Sequence, residues 1–288
     1  MNTLWQNIQY KVLRSGSKLN VLIAINVAVF LLINIPAIFE TLFFRTGWVA
    51  SLSNEYLLLP AYLPKLLTHF WTPFTYMFMH SGVFHILFNM LWFYWFGQIF
   101  EEYLGKKRTL GLYLIGGLAG ALLFLLSYNT IPFFTHANAA LGSTLVGASA
   151  SVMAIIVATA TLLPDYTIPL ILIGPVKLKW LAIFFVIMDL LGVTGLNAGG
   201  ELSHLGGALI GFLYIKQLQS GHDWIESINK IFKPKPKLKV VSTNPSKNSP
   251  GHPRQEEIDL ILDKISKSGY DNLSTQEKEI LFRASNNK

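Results

Sequence analysis

Long stretches without a charged side chain are the feature that most constrains the fold of this chain. No Asp, Glu, Lys or Arg occurs from Leu19 to Phe39, from Leu66 to Phe100, or over the 56 residues from Thr109 to Pro164. A helix needs about 20 mostly apolar residues to cross the hydrocarbon core of a bilayer. Only 14% of the 288 residues are charged, whereas about a quarter are charged in an ordinary soluble domain. The sequence therefore predicts an all-α protein that crosses a membrane several times.

We predict six membrane-spanning helices from these stretches. The longest stretch is too long for one crossing, and we divide it at the polar segment Ser127–Ser143. The fifth helix lies close to Lys177 and Lys179, whose long side chains can reach the membrane interface. The predicted spans lie near residues 19–39, 83–100, 109–128, 147–164, 178–193 and 202–217. Residues 40–70, between the first two spans, carry charges and prolines and predict a large outer loop.

The distribution of lysine and arginine predicts how these helices are oriented. One set of alternate connections holds three basic clusters and the C-terminal tail, whereas the other set holds only Arg45 and Lys65. The clusters are Lys11, Arg14 and Lys18; Lys106, Lys107 and Arg108; and Lys177 and Lys179. Basic residues are enriched in cytoplasmic connections, so both termini are predicted to be cytoplasmic. The net charge of +7 thus reflects membrane orientation, and we expect no nucleic-acid partner.

The composition of the chain changes after the sixth span. We predict a six-span domain at 1–218, a flexible basic linker at 219–254 and a small cytoplasmic helical extension at 255–288. The linker is rich in proline, lysine and serine from residue 233 onward, a composition typical of flexible segments. In the extension, apolar residues recur at helical spacing, and Ser274 with Glu277 forms a capping signature. The sequence indicates no partner for this extension.

Three polar clusters lie at the starts of predicted spans, where polar side chains are costly and usually functional. His80, His85 and Asn89 begin the second span, residues 147–151 (GASAS) begin the fourth, and His204 begins the sixth. These three spans run in the same direction across the membrane, so their first turns lie at similar depth. We therefore expect the clusters to meet in one site just below the outer face.

The residues of these clusters suit acyl transfer. A serine hydroxyl becomes a nucleophile when a neighbouring base accepts its proton, and histidine is the usual base. This predicts Ser149 as the nucleophile and His204 as the base. His85 and Asn89 are four residues apart on one helix face, so both can donate hydrogen bonds to a developing oxyanion. The Ser149 N–H, at a helix N-terminus, is a third predicted donor.

Small residues around the site predict close helix packing. Gly207 and Gly211 form a GxxxG pattern after His204, and Gly147 lies two residues before Ser149. Such patterns let membrane helices approach closely, which a Ser–His hydrogen bond between spans four and six would require.

These motifs resemble those of the rhomboid family of intramembrane serine proteases. GAS at Ser149, HLGGxxxG from His204 and HxxxN from His85 to Asn89 are similar, in order and spacing, to the family's nucleophile, base and oxyanion motifs. The segment WTPFTYMFMH (71–80) resembles the end of the family's first outer loop, and the similarity covers about residues 15–218.

The resemblance implies a six-helix membrane bundle with a Ser–His dyad and no third acid. It further implies single-span membrane proteins as substrates, cleaved near the outer face, often after a small residue. It implies a bacterial member in the inner membrane. Three positions depart from the family pattern: Thr72 where arginine is common, Ala150 where glycine is common, and Met153 where an aromatic ring often stacks on the histidine.

Other interpretations of these residues are open. Ser149 could cap a helix, and His204 or Asn89 could bond neighbouring helices. An inactive relative that binds or delivers membrane proteins would lack the dyad, so the presence of both Ser149 and His204 favours a peptidase. A transporter would show ion-binding residues near mid-membrane and broken helices in matching halves, and neither is evident.

We expect no cofactor and no metal. The chain has no cysteine, which excludes thiol catalysis and zinc–thiolate sites. His80 and His85 are five residues apart, about 140° around a helix, and no acidic residue joins them.

Asp189 is the only acidic residue inside a predicted span. It lies near the outer end of span five, at a depth comparable with that of His204, so a triad is conceivable. We expect it instead to be a water-accessible interfacial residue, because the glycine-rich loop from Gly192 to Gly200 follows and the resemblance implies a dyad. On this interpretation Asp189→Asn would keep cleavage within about tenfold of the wild type, because a true triad acid costs far more.

Overall fold

The computed structural model describes residues 6, 9–170, 174–227 and 255–285. The chain divides into two units, Met1–Lys233 and Pro234–Lys288. In chain order, the helices of the first unit are α1 (Lys18–Phe44), α2 (Trp48–Leu57), α3 (Leu63–Thr68), α4 (Thr72–Thr75), α5 (Val83–Leu104), α6 (Lys106–Thr130), α7 (Pro132–Thr135), α8 (Ser149–Leu162), α9 (Leu178–Gly192) and α10 (Ala198–Gln219). The first unit also contains a π-helical turn (Tyr10–Arg14), two 3₁₀ turns (Tyr76–Phe78 and Ala139–Leu141) and a helical segment at residues 224–227.

Two short antiparallel ladders join loops of this unit. Strand β1 (Leu59–Pro60) pairs with β2 (Thr144–Leu145), and β3 (Thr167–Leu170) pairs with β4 (Gly174–Lys177). These strands are too short to form a layer of their own. The predicted all-α membrane class is therefore confirmed, with the ladders as connections between helices.

Each predicted span overlaps one helix of the structure, and these helices are α1, α5, α6, α8, α9 and α10. Within the described residues, α1, α5 and α6 are long and apolar enough to cross a membrane on length and composition alone. Helix α8 is apolar but only 14 residues long. It begins at Ser149 rather than at the predicted residue 147, because Gly147 has a left-handed backbone with φ +122°.

Apolar side chains cover the outside of the bundle as well as its interior. Only Leu19, Leu22 and Asn26 of α1 are buried, whereas Leu32 and Leu42 further along are more than two-thirds exposed. A soluble helix would turn its apolar residues inward. Outward-facing apolar side chains suit lipid as the surrounding solvent.

Helix α8 lies at the centre of the bundle. Every residue from Ala150 to Ala160 is buried, and the helix packs against α5, α6, α9 and α10. A helix that is apolar all round lies either in a protein core or in a membrane, and α8 is enclosed by its neighbouring helices. Its N-terminal end is consequently held by several neighbours at once.

The loop between α1 and α5 is tied to the start of α8. The Trp71 indole N–H donates to the Tyr56 carbonyl oxygen at 2.7 Å, and the Thr75 hydroxyl donates to that of Leu57 at 2.8 Å. The Gly147 N–H donates to the Tyr76 carbonyl oxygen at 3.0 Å. These bonds, together with the β1–β2 ladder, hold the residues before Ser149 against the loop.

The segment after α10 folds back onto α6 at the other end of the bundle. Asp223 accepts a hydrogen bond from the Arg108 guanidinium at 2.8 Å, and Ile225 is buried where it contacts Gly111. Burial raises the pKa of Asp223, but hydrogen bonds from the Glu226 N–H and from Arg108 outweigh it and lower the pKa overall. Residues 221–227 thus differ from the flexible linker predicted from 219, and 228–254 lie outside the described residues.

The second unit contains the helices α11 (Gln255–Ser268) and α12 (Thr275–Ser285), joined by a 3₁₀ turn at Tyr270–Asn272. The capping signature predicted at Ser274 is confirmed. The Glu277 N–H donates to the Ser274 hydroxyl at 3.3 Å, and the Ser274 N–H donates to the Glu277 carboxylate at 2.7 Å. Lys264 pairs with Glu277 at 2.9 Å and joins the two helices.

Candidate active site

A cavity of roughly 570 Å³ lies among α5, α8, α9 and α10. Its walls include all four residues predicted to carry chemistry: Ser149, His204, His85 and Asn89. These residues come from three helices and lie up to 119 positions apart in the chain, from His85 to His204. The fold thus brings residues from each of the three polar clusters of the sequence into one place, which we call the site cavity.

Ser149 is the first residue of α8, and it does not cap the helix. The N-cap position belongs to Ala148, which makes no side-chain capping bond. The first N–H groups of a helix have no intrahelical acceptor. Ser149 lines the cavity at the positive end of the helix, where its own N–H group has no acceptor within the helix.

Position 147 requires glycine, both because of its backbone conformation and because of the atoms around it. Its φ of +122° disfavours any residue with a Cβ. A Cβ at this position would also lie 2.8 Å from Nε2 of His85 and 3.6 Å from Oγ of Ser149. We predicted Gly147 as a helix-packing residue; the structure shows instead a tight turn against the His85 ring.

The hydrogen bonds of His85 define its tautomer. Its Nδ1 lies 3.3 Å from the Ser81 backbone nitrogen, whose N–H can only donate, and 3.0 Å from the Ser81 hydroxyl, which can donate as well. In a neutral imidazole the proton then lies on Nε2, which is the ring atom nearest to a Cβ placed on Gly147. His85 consequently presents an N–H donor to the site cavity.

Asn89 lies one turn further along α5, and its side chain is held in place. Its Nδ2 donates to the His85 carbonyl oxygen at 2.9 Å, and the residue is only 8% exposed. A side-chain amide has two N–H donors, so one remains for a ligand in the cavity.

Helix α10 approaches α8 closely on the side that carries His204. A Cβ at Gly207 would collide with the Ala150 carbonyl oxygen, and one at Gly211 with that of Ala154. The predicted packing role of Gly207 and Gly211 matches these contacts. The close approach brings the N-terminal parts of α8 and α10 to the same cavity.

Asp189 contacts the imidazole of His204. Its Oδ1 lies 2.8 Å from Nδ1 of His204, and the residue is only 7% exposed. The expectation of a water-accessible interfacial residue is therefore wrong: α9 packs beside α10 and turns Asp189 toward the imidazole. Glu201, which the sequence analysis overlooked, has Oε2 at 3.6 Å from the same nitrogen. Its position three residues before His204, on one helix face, was an available signal.

One cluster of side chains among the described residues is close enough to be considered as a metal site. It consists of Asp189, Glu201 and His204, and one potential ligand atom from each lies within 4.8 Å of the other two. Two ligands of a tetrahedral zinc ion lie roughly 3.4 Å apart, given metal–ligand distances near 2.1 Å. The 2.8 Å separation of Asp189 and His204 is shorter than this and suits a direct hydrogen bond.

Two departures from the family pattern have clear surroundings. Thr72 is fully buried, and its hydroxyl donates to the His69 carbonyl oxygen at 2.8 Å, so it fastens the loop locally. Met153 is one turn after Ser149 and lines the site cavity. Ser151 is fully buried and lies outside the cavity lining, beside Gly117 of α6.

Comparison with known proteins identifies the family of this chain. Residues 67–220 match the rhomboid domain, and residues 247–287 match a family of unknown function, DUF6576. The chain is 33% identical over 155 residues to "Presenilin-associated rhomboid-like protein A, mitochondrial" of Danio rerio. This alignment covers 51% of this chain and 37% of that protein. It is 30% identical over 154 residues to "RHOMBOID-like protein 12, mitochondrial" of Arabidopsis thaliana, and this alignment covers 50% of this chain and 45% of that protein. The chain thus spans less than half the length of each of these curated relatives. Because the rhomboid domain match covers more than half of its residues, this multi-pass membrane protein belongs to the rhomboid family.

Proposed function

We propose that this protein is an intramembrane serine endopeptidase. The observation that carries the proposal is the shared cavity, in which a nucleophile, a base and two side-chain N–H donors meet inside a bundle of apolar helices. Family membership supports this function, and so do Ser149 and His204, which an inactive relative would lack. The proposed reaction is hydrolysis of a peptide bond without a cofactor.

Each site residue has a defined part in the proposed reaction. Ser149 Oγ attacks the scissile carbonyl carbon as its proton passes to Nε2 of His204, whose Nδ1 faces Asp189. The resulting oxyanion accepts hydrogen bonds from His85 Nε2–H, Asn89 Nδ2–H and the Ser149 N–H. His204 then gives its proton to the leaving amine. A water molecule, deprotonated by His204, releases the acyl group and restores Ser149.

The proposed substrates are single-span membrane proteins, cleaved near the outer face and often after a small residue. The walls of the site cavity include Phe84, Phe88, Val152 and Ile156, which suit an apolar segment in extended form. The excess of basic residues in alternate connections supports an orientation with both termini in the cytoplasm. Placement in a bacterial inner membrane comes from the resemblance of the motifs, whereas the two curated relatives carry mitochondrial names.

Cleavage assays with matched serine variants test this proposal. Purified full-length protein in liposomes is incubated with a panel of tagged single-span substrates. We expect cleavage by the wild type and by Ser151→Ala, and none by Ser149→Ala, because Ser151 lies outside the cavity lining. Binding of substrates without cleavage by the wild type would instead favour an inactive binding protein. Cleavage by Ser149→Ala but not by Ser151→Ala would contradict the assignment.

A further inference from the structure

We propose that Asp189 positions His204, so that Ser149, His204 and Asp189 act as a triad. The proposal rests on the peptidase function proposed above and assigns a third residue to the same site. Asp189 contacts the base, and its proposed role is to hold the imidazole in one tautomer and orientation.

The hydrogen bond between the two side chains has the geometry that this role requires. The Nδ1–Oδ1 separation of 2.8 Å lies within the range of a charge-assisted hydrogen bond. A carboxylate can only accept, so the proton lies on Nδ1 of His204. The lone pair of a neutral ring is then on Nε2, the atom that must accept the Ser149 proton.

The surroundings of Asp189 point to a specific role for its carboxylate. It is 7% exposed, and its Oδ2 has no hydrogen-bond partner. No lysine or arginine pairs with it within the described part of the chain, where its ion-pair partner is His204. Burying a carboxylate without a permanent cation is costly. A cation forms beside it when His204 takes the Ser149 proton, and the carboxylate then stabilises that imidazolium.

Glu201 is a neighbouring acid that does not share this role. Its Oε2 is 3.6 Å from Nδ1 of His204, which is too long for a hydrogen bond. Its Oε1 instead accepts from Asn197 Nδ2 at 3.2 Å, and its stem lies against Gly192. The two acids therefore provide a comparison within one site, because Asp189 makes the direct hydrogen bond to the ring and Glu201 makes the longer ion-pair contact.

The proton transfers remain balanced in this arrangement. The Ser149 Oγ–H bond breaks, the new N–H bond forms on Nε2, and the Nδ1 proton stays in its hydrogen bond to Asp189. The carboxylate is not protonated at any step. Collapse of the tetrahedral intermediate returns the Nε2 proton to the leaving amine.

Steady-state kinetics of Asp189→Asn in liposomes test the proposal. The Asn amide would donate to Nδ1 of His204 and so favour the tautomer that carries the ring proton on Nε2. In that tautomer Nε2 cannot accept the proton of Ser149. Such a change costs about 10,000-fold in kcat in soluble triads. We expect kcat to fall by more than about a hundredfold with KM changed less than about threefold, because the substrate contacts are retained. Asp165→Asn, an exposed loop acid paired with Lys177 and Lys179, is the matched control and should keep wild-type kinetics.

Two further results decide the role of Asp189. Glu201→Gln should reduce kcat less than Asp189→Asn does. A smaller than hundredfold loss in folded Asp189→Asn, or an equal loss in Glu201→Gln, would overturn the proposal.

Nuclear magnetic resonance of ¹⁵N-labelled histidine provides a measurement that does not depend on cleavage. In Ser149→Ala protein, which keeps Asp189, neutral His204 should be protonated at Nδ1, with its proton shifted to low field by the hydrogen bond. Protonation at Nε2 would overturn the proposal even if Asp189→Asn failed to fold. A wild type that cleaves nothing would refute the peptidase function, while this measurement would still report the tautomer.

Discussion

His85 and His204 face the same cavity with opposite hydrogen-bonding roles. The Ser81 N–H donates to Nδ1 of His85, which leaves an N–H donor on Nε2. Asp189 accepts from Nδ1 of His204, which leaves an acceptor on Nε2. A neutral imidazole carries one proton, so the partner of one ring nitrogen sets the function of the other. One histidine is therefore suited to stabilise negative charge and the other to accept a proton.

Asn89→Ala tests the oxyanion role at the scale of one residue. We expect turnover to fall by about 10- to 1,000-fold, because a donor aimed at the oxyanion is lost. Asn34→Ala is the matched control, since Asn34 makes the same bond to a carbonyl oxygen four residues earlier, at 2.9 Å, in α1. Turnover and thermal unfolding are measured for both variants. A loss of turnover explained entirely by lower thermal stability of Asn89→Ala would show that Asn89 acts as a structural link.

Helices α8 and α10 can place Ser149 and His204 together because glycine lines their contact. The α10 glycines lie directly against backbone carbonyl groups of α8 and leave no space for a methyl group. Small residues serve this purpose in membrane helices, where close backbone packing replaces the hydrophobic effect. The arrangement of Ser149 and His204 near the N-terminal ends of these helices therefore depends on glycines further along α10.

Gly207→Ala tests this contact at the scale of the helices. Alanine favours a helix by about 1 kcal/mol over glycine, but the collision with the Ala150 carbonyl group should outweigh this gain. We expect a net loss of about 1–3 kcal/mol, as for other overpacked interiors, together with reduced cleavage. Gly142→Ala is the control, because nothing lies within 4 Å of a Cβ there. Thermal unfolding in detergent measures both variants, and unchanged stability of Gly207→Ala would contradict the tight contact.

The whole molecule shows which features could be predicted from the sequence. The all-α membrane class was predictable because charge-free stretches mark where a chain can enter lipid. The shared site was predictable because alternate helices run in the same direction, which places the starts of α5, α8 and α10 at one depth. The contact of Asp189 with His204 was not predictable, because it depends on how α9 rotates and packs beside α10. The return of Asp223 onto Arg108 depends on the same kind of long-range packing.

Covalent labelling of Ser149 by a fluorophosphonate tests most directly whether the bundle holds an activated serine. The reagent reacts with a serine hydroxyl only when a base takes its proton, so labelling depends on the Ser149–His204 pair and not on any substrate. Mass spectrometry of full-length protein in liposomes should locate the adduct on Ser149 in the wild type and in Ser151→Ala. His204→Ala should not be labelled although it remains folded. An unlabelled wild type, or equal labelling of His204→Ala, would contradict the account.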